Sequence, residues 1–201
     1  MAKRIVVGIS GASGIVYGIR MLEALRELGH ETHLVMTRSA EQTLAVETKR
    51  KLAEVHALAH TVHPVTDVGA APSSGSFATD GMVVAPCSIR SLSEIATGVT
   101  SSLLTRAADV TLKERRRLVL LVRETPLHTG HLRTMAQASE LGAVIFPPVP
   151  AFYGWPQGVE DIVNHTVGRA LDLFGIENSL APRWGAAPAD GGKAVRAFPR
   201  R

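Results

Sequence analysis

Short apolar runs alternate with stretches of helical periodicity along this chain. Continuous Val, Ile and Leu residues indicate buried parallel strands at residues 5–9, 32–36, 82–85, 118–122 and 144–146. Apolar residues at three- and four-residue steps predict helices at 15–28, 39–47, 88–97, 131–141 and 159–174. Gly29 follows the first helix as a stop signal. This alternation predicts an α/β fold, a single Rossmann-like domain whose parallel sheet has helices on both faces.

Composition and charge bound the domain organisation and the partners. The 201 residues are 45% hydrophobic, which suits one compact domain, and we place it at residues 1–185. The remainder, 186–201, is rich in Gly, Ala and Pro and carries three of the four net positive charges. We interpret it as a flexible, solubilising tail. Because the rest is almost neutral and only 4% aromatic, we expect no nucleic-acid partner.

Other sequence features concern location and metal binding. No apolar run approaches the ~20 residues that cross a bilayer, and no signal-peptide pattern precedes the first strand, so we expect a cytoplasmic protein without a membrane segment. The single cysteine, Cys87, excludes an internal disulfide, and we interpret it as a small core or pocket residue. His56 and His60 are one helical turn apart in a polar segment, and we expect no metal site there.

Small and hydroxyl residues follow two of the predicted strands. The turn at residues 8–14, G-I-S-G-A-S-G, is neither a dinucleotide fingerprint nor a P-loop. Its glycines and the helix start beyond it suit close approach of a polar or anionic ligand, or else tight strand–helix packing. Ser88 and Ser91 follow the strand at 82–85, where their hydroxyls either cap the next helix or face a ligand.

Charged and aromatic residues cluster in the second half of the chain. Arg123 and Glu124 follow the apolar strand at 118–122, at the sheet edge where ligands bind. An arginine there can hold a phosphate with two hydrogen bonds, and a glutamate can orient it or act as an acid–base group. We interpret the basic run at 115–117 as a solvated face. The proline-rich segment at 147–156 presents Phe152, Tyr153 and Trp155, which suit a pocket wall or an interface, with a core position as the alternative for Phe152.

An ordered set of fragments resembles one known family along nearly the whole chain. The fragments lie at residues 11–14, 85–88, 106–110, 112–116, 123–127, 152–153 and 183–185. Together they resemble the UbiX-type flavin prenyltransferases. The resemblance implies a metal-independent enzyme that transfers a dimethylallyl group from dimethylallyl phosphate to N5 of reduced FMN, with ring closure at C6. It also implies a UbiD-type decarboxylase that uses the prenylated FMN, and a homo-oligomer, a dodecamer, with sites at subunit contacts.

The resemblance also implies roles for individual residues. FMN would be held by Gly11, Ala12, Ser13, Thr37, Ser88, Ile89, Arg90, Ser91 and Arg123. The substrate phosphate would be bound by Gly75, Arg106, Lys113, Arg123, Tyr153 and Arg169. The catalytic group would comprise Ser13, Glu47, Lys113, Glu124 and Trp184; in it the two glutamates manage protons and orient the phosphate, and the tryptophan encloses the prenyl group. Without a ligand, Arg169 would instead pair with Asp172 or Asp161. Thr37, Trp155 and Ser101–Ser102 depart from the residues common in the family, and residues 49–68 receive no role.

Two rival functions remain. One is a flavin-dependent cysteine decarboxylase, which residues 147–153 disfavour because they lack the Pro-x-Met-Asn-x-x-Met-Trp stretch of that class. The other is a non-catalytic FMN carrier or accessory subunit of an aromatic acid decarboxylase. A carrier needs no second phosphate site, so the Lys and Arg cluster favours the transferase. Such a cluster stabilises the departing phosphate, and aromatic faces shield an allylic cation from water.

Overall fold

A computed structural model describes residues 1–183 of the chain. Trp184, the predicted domain end at residue 185 and the basic tail lie outside the described residues. The chain forms two compact units, Met1–Pro148 and a second one that starts at Val149. Within residues 1–183, no helix has the length and apolar character needed to span a membrane.

The first unit is built on a parallel sheet. Within residues 1–148 its strands are β1 (Arg4–Ile9), β2 (Glu31–Met36), β3 (Thr61–His63), β4 (Gly81–Cys87), β5 (Arg117–Val122) and β6 (Val144–Ile145). Their spatial order is β3-β2-β1-β4-β5-β6, and every neighbouring pair is parallel. The predicted Rossmann-like α/β fold is therefore confirmed. β3 was not predicted, because three residues in a polar segment give no recognisable periodicity.

Helices connect the strands of this sheet. They are α1 (Ile15–Glu27), α2 (Arg38–Glu47), α3 (Leu52–His56), α4 (Ile89–Thr97), α5 (Leu103–Lys113) and α6 (Thr129–Glu140). α1 ends as predicted, with Gly29 in a left-handed conformation at φ 74°. α5 was not predicted, although Ser102 accepts a hydrogen bond from the amide of Thr105 and apolar residues recur along the helix at 103, 104, 107 and 108.

The core of the first unit explains why the strands are almost entirely apolar. One face of the sheet packs against α4, α5 and α6 through a cluster that includes Val84, Leu92, Leu104 and Leu120. α1 packs on β1, β2 and β4, and Gly18 lets it approach so closely that a Cβ there would collide with the carbonyl oxygen of Ala85. Residues buried between two helix layers cannot be polar without partners, so these strands lack alternation.

The second unit contains an irregular segment and one long helix among its described residues. The segment from Val149 to Gly158 leads into α7 (Val159–Asp172), and an irregular stretch follows to Arg183. Phe152 and Trp155 are 70% and 81% exposed. The alternative core position for Phe152 is therefore wrong, and both aromatic side chains are available for contacts outside this chain.

Candidate functional site

The strand order reverses between β1 and β4, and the loops after these two strands meet there. The buried hydroxyl of Ser10 donates to the carbonyl oxygen of Pro86 at 2.9 Å and accepts from the amide of Ser88 at 2.7 Å. In sheets of this kind, ligands bind beside such a reversal at the carboxyl ends of the strands. Sequence reasoning missed Ser10, although a polar residue at the end of a buried strand could have identified it.

Glycines shape the turn between β1 and α1. A Cβ on Gly11 would collide with the Cβ of Ser39 and lie 3.1 Å from the carbonyl carbon of Ser39. Gly14 adopts φ 95°, a left-handed conformation that side chains disfavour. Close packing, one of the two explanations left open for this turn, is therefore real, and it also brings the turn beside α2.

A cleft of about 270 Å³ opens beside this turn. Three helices begin at it, since Thr37, Ser88 and Ser102 are the N-caps of α2, α4 and α5. The cleft is lined by Gly11, Thr37, Arg38, Ser39, Val65, Ser88, Arg90, Ser91, Glu94, Ser101, Ser102 and Thr105. Hydroxyl groups, cations and helix N-termini together favour an anionic, hydroxyl-bearing ligand. Several predicted FMN residues line it, whereas Arg38, Ser39, Glu94 and Thr105 were not predicted.

Two of the hydroxyls at this cleft already accept hydrogen bonds from backbone amides. Thr37 Oγ1 accepts from the amide of Ala40 at 3.1 Å, and Ser88 Oγ accepts from the amide of Ser91 at 3.2 Å. Capping by Ser88, one of the alternatives, is therefore confirmed. Arg90 is largely exposed and its Nε donates to Glu94 at 3.0 Å. Each hydroxyl retains a lone pair or a proton for a ligand, so capping and binding are compatible.

Glu47 lies at the N-terminus of α1. Its Oε2 accepts from the amides of Gly14 at 2.9 Å and Ile15 at 3.0 Å. Partial burial opposes ionisation of Glu47, but hydrogen bonds from Ser13, Ile15 and Gly14 and the charge of Arg123 outweigh it and lower its pKa. Ser13, Glu47 and Arg123 therefore interact at the carboxyl edge of the sheet, and the glutamate is ionised at neutral pH.

Arg123 and Glu124 lie at the end of β5, as predicted. The amide of Arg123 donates to the carbonyl oxygen of Cys87 at 3.0 Å, which joins the ends of β5 and β4. Glu124 is exposed, and its Oε1 accepts from the amide of Thr125 at 3.0 Å. Cys87 is fully buried, and burial raises its pKa to about 12, which confirms the interpretation of this thiol as a core residue.

A second polar cluster lies at the opposite, amino edge of the sheet. Lys113 at the end of α5 forms an ion pair with Glu114, and a Cβ on Gly75 would lie 2.7 Å from Lys113 Nζ. Two predicted phosphate ligands, Gly75 and Lys113, are thus neighbours. Arg106 is not part of this cluster, because it lies two turns earlier on α5, one turn after Ser102 at the carboxyl-edge cleft, and it pairs with Asp109 at 2.7 Å.

The polarity of α5 and β5 separates this cluster from Arg123. α5 begins beside the hydroxyl-lined cleft and spans 11 residues, about 16 Å, before Lys113. β5 then crosses the sheet over six residues, about 20 Å, before Arg123. Within one chain, Lys113 and Arg123 therefore do not bind the same phosphate group.

Arg116 does not lie on a solvated face, so the interpretation of residues 115–117 is wrong at this position. Its Nη2 donates to the carbonyl oxygen of Gly75 at 2.7 Å, and its Nη1 donates to that of Phe77 at 2.8 Å. The guanidinium thereby holds the loop that carries Gly75 beside Lys113. A guanidinium carries several N–H donors that can bind two separated carbonyl groups at once. The sequence spacing did not indicate this contact.

The second unit contains the remaining predicted phosphate ligands, Tyr153 and Arg169. Arg169 Nη1 pairs with Asp172 Oδ2 at 2.8 Å, which is the ion pair expected when no ligand is bound. Asp172 also accepts from Arg183, whose Nη2 lies 2.7 Å from Asp172 Oδ1. The phenol oxygen of Tyr153 lies 2.8 Å from Nε2 of His165, a residue to which sequence reasoning gave no role. Trp184, the predicted prenyl contact, lies beyond the described residues.

Comparisons with known proteins all point to the same protein family. A family model described as Flavoprotein matches residues 1–171. The flavin prenyltransferase UbiX of Escherichia coli (strain K12) is 59% identical over 188 residues, covering 92% of this chain and 100% of that protein. The crystal structure of AnUbiX in complex with FMN and dimethylallyl pyrophosphate superposes with a TM-score of 0.91 at 50% identity, covering 94% of this chain and 100% of that one. A dodecameric FMN-dependent UbiX-like decarboxylase from Escherichia coli O157:H7 gives 0.89 at 48% identity, covering 91% and 100%.

Proposed function

The chain belongs to the UbiX-type flavin prenyltransferases, and from this premise we propose that it transfers a dimethylallyl group from dimethylallyl phosphate to reduced FMN. The structural observation that supports the proposal most strongly is the presence of two separate polar sites in one unit. A hydroxyl-lined cleft lies at the carboxyl edge of the sheet, and a cationic cluster lies at the amino edge. A non-catalytic FMN carrier would need only the first.

The carboxyl-edge cleft fits the phosphate and ribityl parts of FMN. Gly11 lines this cleft, and the hydroxyls of Thr37, Ser88 and Ser91 supply donors and acceptors. Helix N-termini and Arg38 favour the phosphate charge. The volume of about 270 Å³ lies just below the range of about 300–1,000 Å³ typical of ligand pockets.

Reduced FMN would supply the nucleophile: its N5 forms a bond to the allylic carbon while that carbon's bond to the phosphate oxygen breaks, and N5 releases its proton. For the ring to close, one alkene carbon of the transferred group accepts a proton, the other bonds to C6, and C6 releases its own proton. The protein must then stabilise the departing phosphate and exclude water. Lys113 and Arg106 supply positive charge for that anion, which takes the place of a divalent metal. The resemblance to the family also assigns Tyr153 and Arg169 to the substrate phosphate, and we propose that role for them.

Proton transfer is the proposed task of the carboxylates. Glu47 is ionised at neutral pH, so its carboxylate can accept a proton at the FMN site, and hydrogen bonds from the start of α1 hold it in place. Ser13 contacts Glu47 and would relay a proton to it. Glu124 lies next to Arg123 and would orient the phosphate.

We also propose that the site is completed by a second copy of the chain. Gly75 and Lys113 at the amino edge and the FMN cleft at the carboxyl edge are separated by the length of α5, so one chain does not bring them together. A homo-oligomer in which one subunit's amino edge meets another's carboxyl edge solves this problem, and a dodecamer is the assembly we propose. The prenylated FMN would pass to a UbiD-type decarboxylase.

The decisive experiment is an anaerobic incubation of the protein with reduced FMN and dimethylallyl phosphate, without added metal. Mass spectrometry of the extracted flavin should show a gain of one C₅H₈ unit, and Lys113→Ala should abolish that gain while FMN still binds. Stoichiometrically bound but unmodified FMN from the wild-type protein would contradict the transferase and favour the carrier.

A further inference from the structure

His165 and Tyr153 are in direct contact within the second unit. His165 lies on α7, and Tyr153 lies in the irregular segment that precedes this helix. The phenol oxygen is 2.8 Å from the imidazole Nε2, and the two rings meet edge to face with centroids 5.5 Å apart and an interplanar angle of 81°. This geometry fixes the direction of the phenol group relative to α7.

The surroundings keep the imidazole neutral. Partial burial lowers the pKa of His165, and the positive charges of Arg169 and Arg183 lower it further, whereas the nearby Asp172 acts in the opposite direction. A neutral imidazole carries a proton on only one of its nitrogens. Nε2 therefore either donates to the phenol oxygen or accepts the phenol proton.

The single proton of the phenol decides between these two arrangements. A tyrosine that binds a phosphate must donate its proton to a phosphate oxygen, because the anion offers only acceptors. If that proton pointed at His165, none would remain for the phosphate. Phosphate binding by Tyr153 thus requires the tautomer in which Nε2 of His165 carries the hydrogen and donates it.

We propose that His165 is a positioning residue for the transferase, whose Nε2–H donates to the phenol oxygen of Tyr153 and thereby directs the phenol proton toward the phosphate of the prenyl donor. This inference rests on the proposed function, since it assumes that Tyr153 binds dimethylallyl phosphate. In this inference His165 acts only by orienting Tyr153, and it takes no part in FMN binding.

A pair of substitutions isolates the donor. In His165→Gln the side-chain amide nitrogen reaches the place of Nε2 and can donate, whereas His165→Leu has similar bulk and no donor. We expect His165→Leu to raise the KM for dimethylallyl phosphate roughly three- to ten-fold, the loss of about one hydrogen bond. FMN affinity should not change, and His165→Gln should recover most of the loss. His56→Leu, the same replacement on α3, is the control.

A double-mutant cycle with Tyr153→Phe separates positioning from general structural effects. Once the phenol oxygen is gone, His165→Leu should add nothing further to the KM. An equal increase in both backgrounds, or a His165→Gln variant as impaired as His165→Leu, would overturn the inference. If His165→Leu does not fold, His165→Asn takes its place. The shorter amide of Asn does not reach the phenol, so a comparison with His165→Gln again tests the donor.

Calorimetric titration with dimethylallyl phosphate separates this inference from the proposed function. A wild-type protein that binds the compound but forms no prenylated flavin refutes the function, and the same variants are then compared by Kd. A wild-type protein that prenylates FMN while His165→Leu keeps a normal KM refutes only the role of His165. Absence of any binding by the wild type refutes both.

Discussion

Arg116 should control the affinity for the prenyl donor without touching it. Its guanidinium holds the carbonyl oxygens of Gly75 and Phe77 at 2.7 and 2.8 Å. Hydrogen bonds from a charged donor contribute about 1.5–3 kcal/mol each, and the low end applies to this half-buried side chain. Arg116→Ala therefore removes about 3 kcal/mol that holds the loop beside Lys113. If half of this free energy is lost from the binding of dimethylallyl phosphate, the KM for that substrate rises about ten-fold.

The assay is steady-state formation of prenylated FMN at varied dimethylallyl phosphate, together with fluorescence titration of FMN. Arg116→Ala should raise the KM and leave the Kd of FMN unchanged, because the FMN cleft lies at the other edge of the sheet. Arg116→Lys should fall in between, since an ammonium group cannot span the separated carbonyl groups. Arg117→Ala, the same change at the exposed next residue, is the control. A normal KM in Arg116→Ala, or equal losses for both ligands, would refute the reasoning.

Other predictions concern single contacts. Gly11→Ala should lower both FMN affinity and the melting temperature, because its Cβ meets the backbone of Ser39; a variant with normal FMN affinity would contradict this. Cys87 should not react with a thiol reagent at pH 8 until the protein is unfolded, because burial raises its pKa to about 12. Asp172→Asn should lower the free energy of unfolding by about 1–2 kcal/mol at pH 7. The pKa of Asp172 is lowered from 3.8, despite burial, by Arg183 and Arg169, so the difference from the wild type should persist above about pH 4 and shrink below it; equal sensitivity at pH 3 and pH 7 would refute the ion-pair origin.

The sheet was predictable because its strands are buried on both faces. Such strands must be continuously apolar, and β1, β2 and β5 therefore appear in the sequence almost at their observed bounds. β3 is three residues long at the sheet edge, where burial imposes no pattern. α5 was missed for a different reason. Its apolar residues have helical spacing, but Arg106 and Lys113 suggested a ligand-binding stretch rather than a helix.

The candidate site was predictable only where it follows a strand. Ser88 and Arg123 each stand just after one, as does Thr37, which only the resemblance to the family assigned, and the fold places all three at the same edge. Ser39, Ser102 and Thr105 reach the cleft through the packing of α2 and α5, which no local pattern reveals. The contacts of Arg116 and His165 likewise depend on side-chain directions across elements, and these are set by tertiary packing.

Lys113 and Arg123 lie at opposite edges of the sheet although they are only ten positions apart in the sequence. The resemblance to the family assigns both of these residues to the substrate phosphate. In a parallel α/β sheet, however, a helix returns the chain to the amino edge and the next strand carries it across to the carboxyl edge. Charges at the end of a helix and at the end of the following strand therefore always lie a strand length apart. If Lys113 and Arg123 bind one phosphate group, as we propose, separate chains must supply them, and the proposed homo-oligomer meets that requirement.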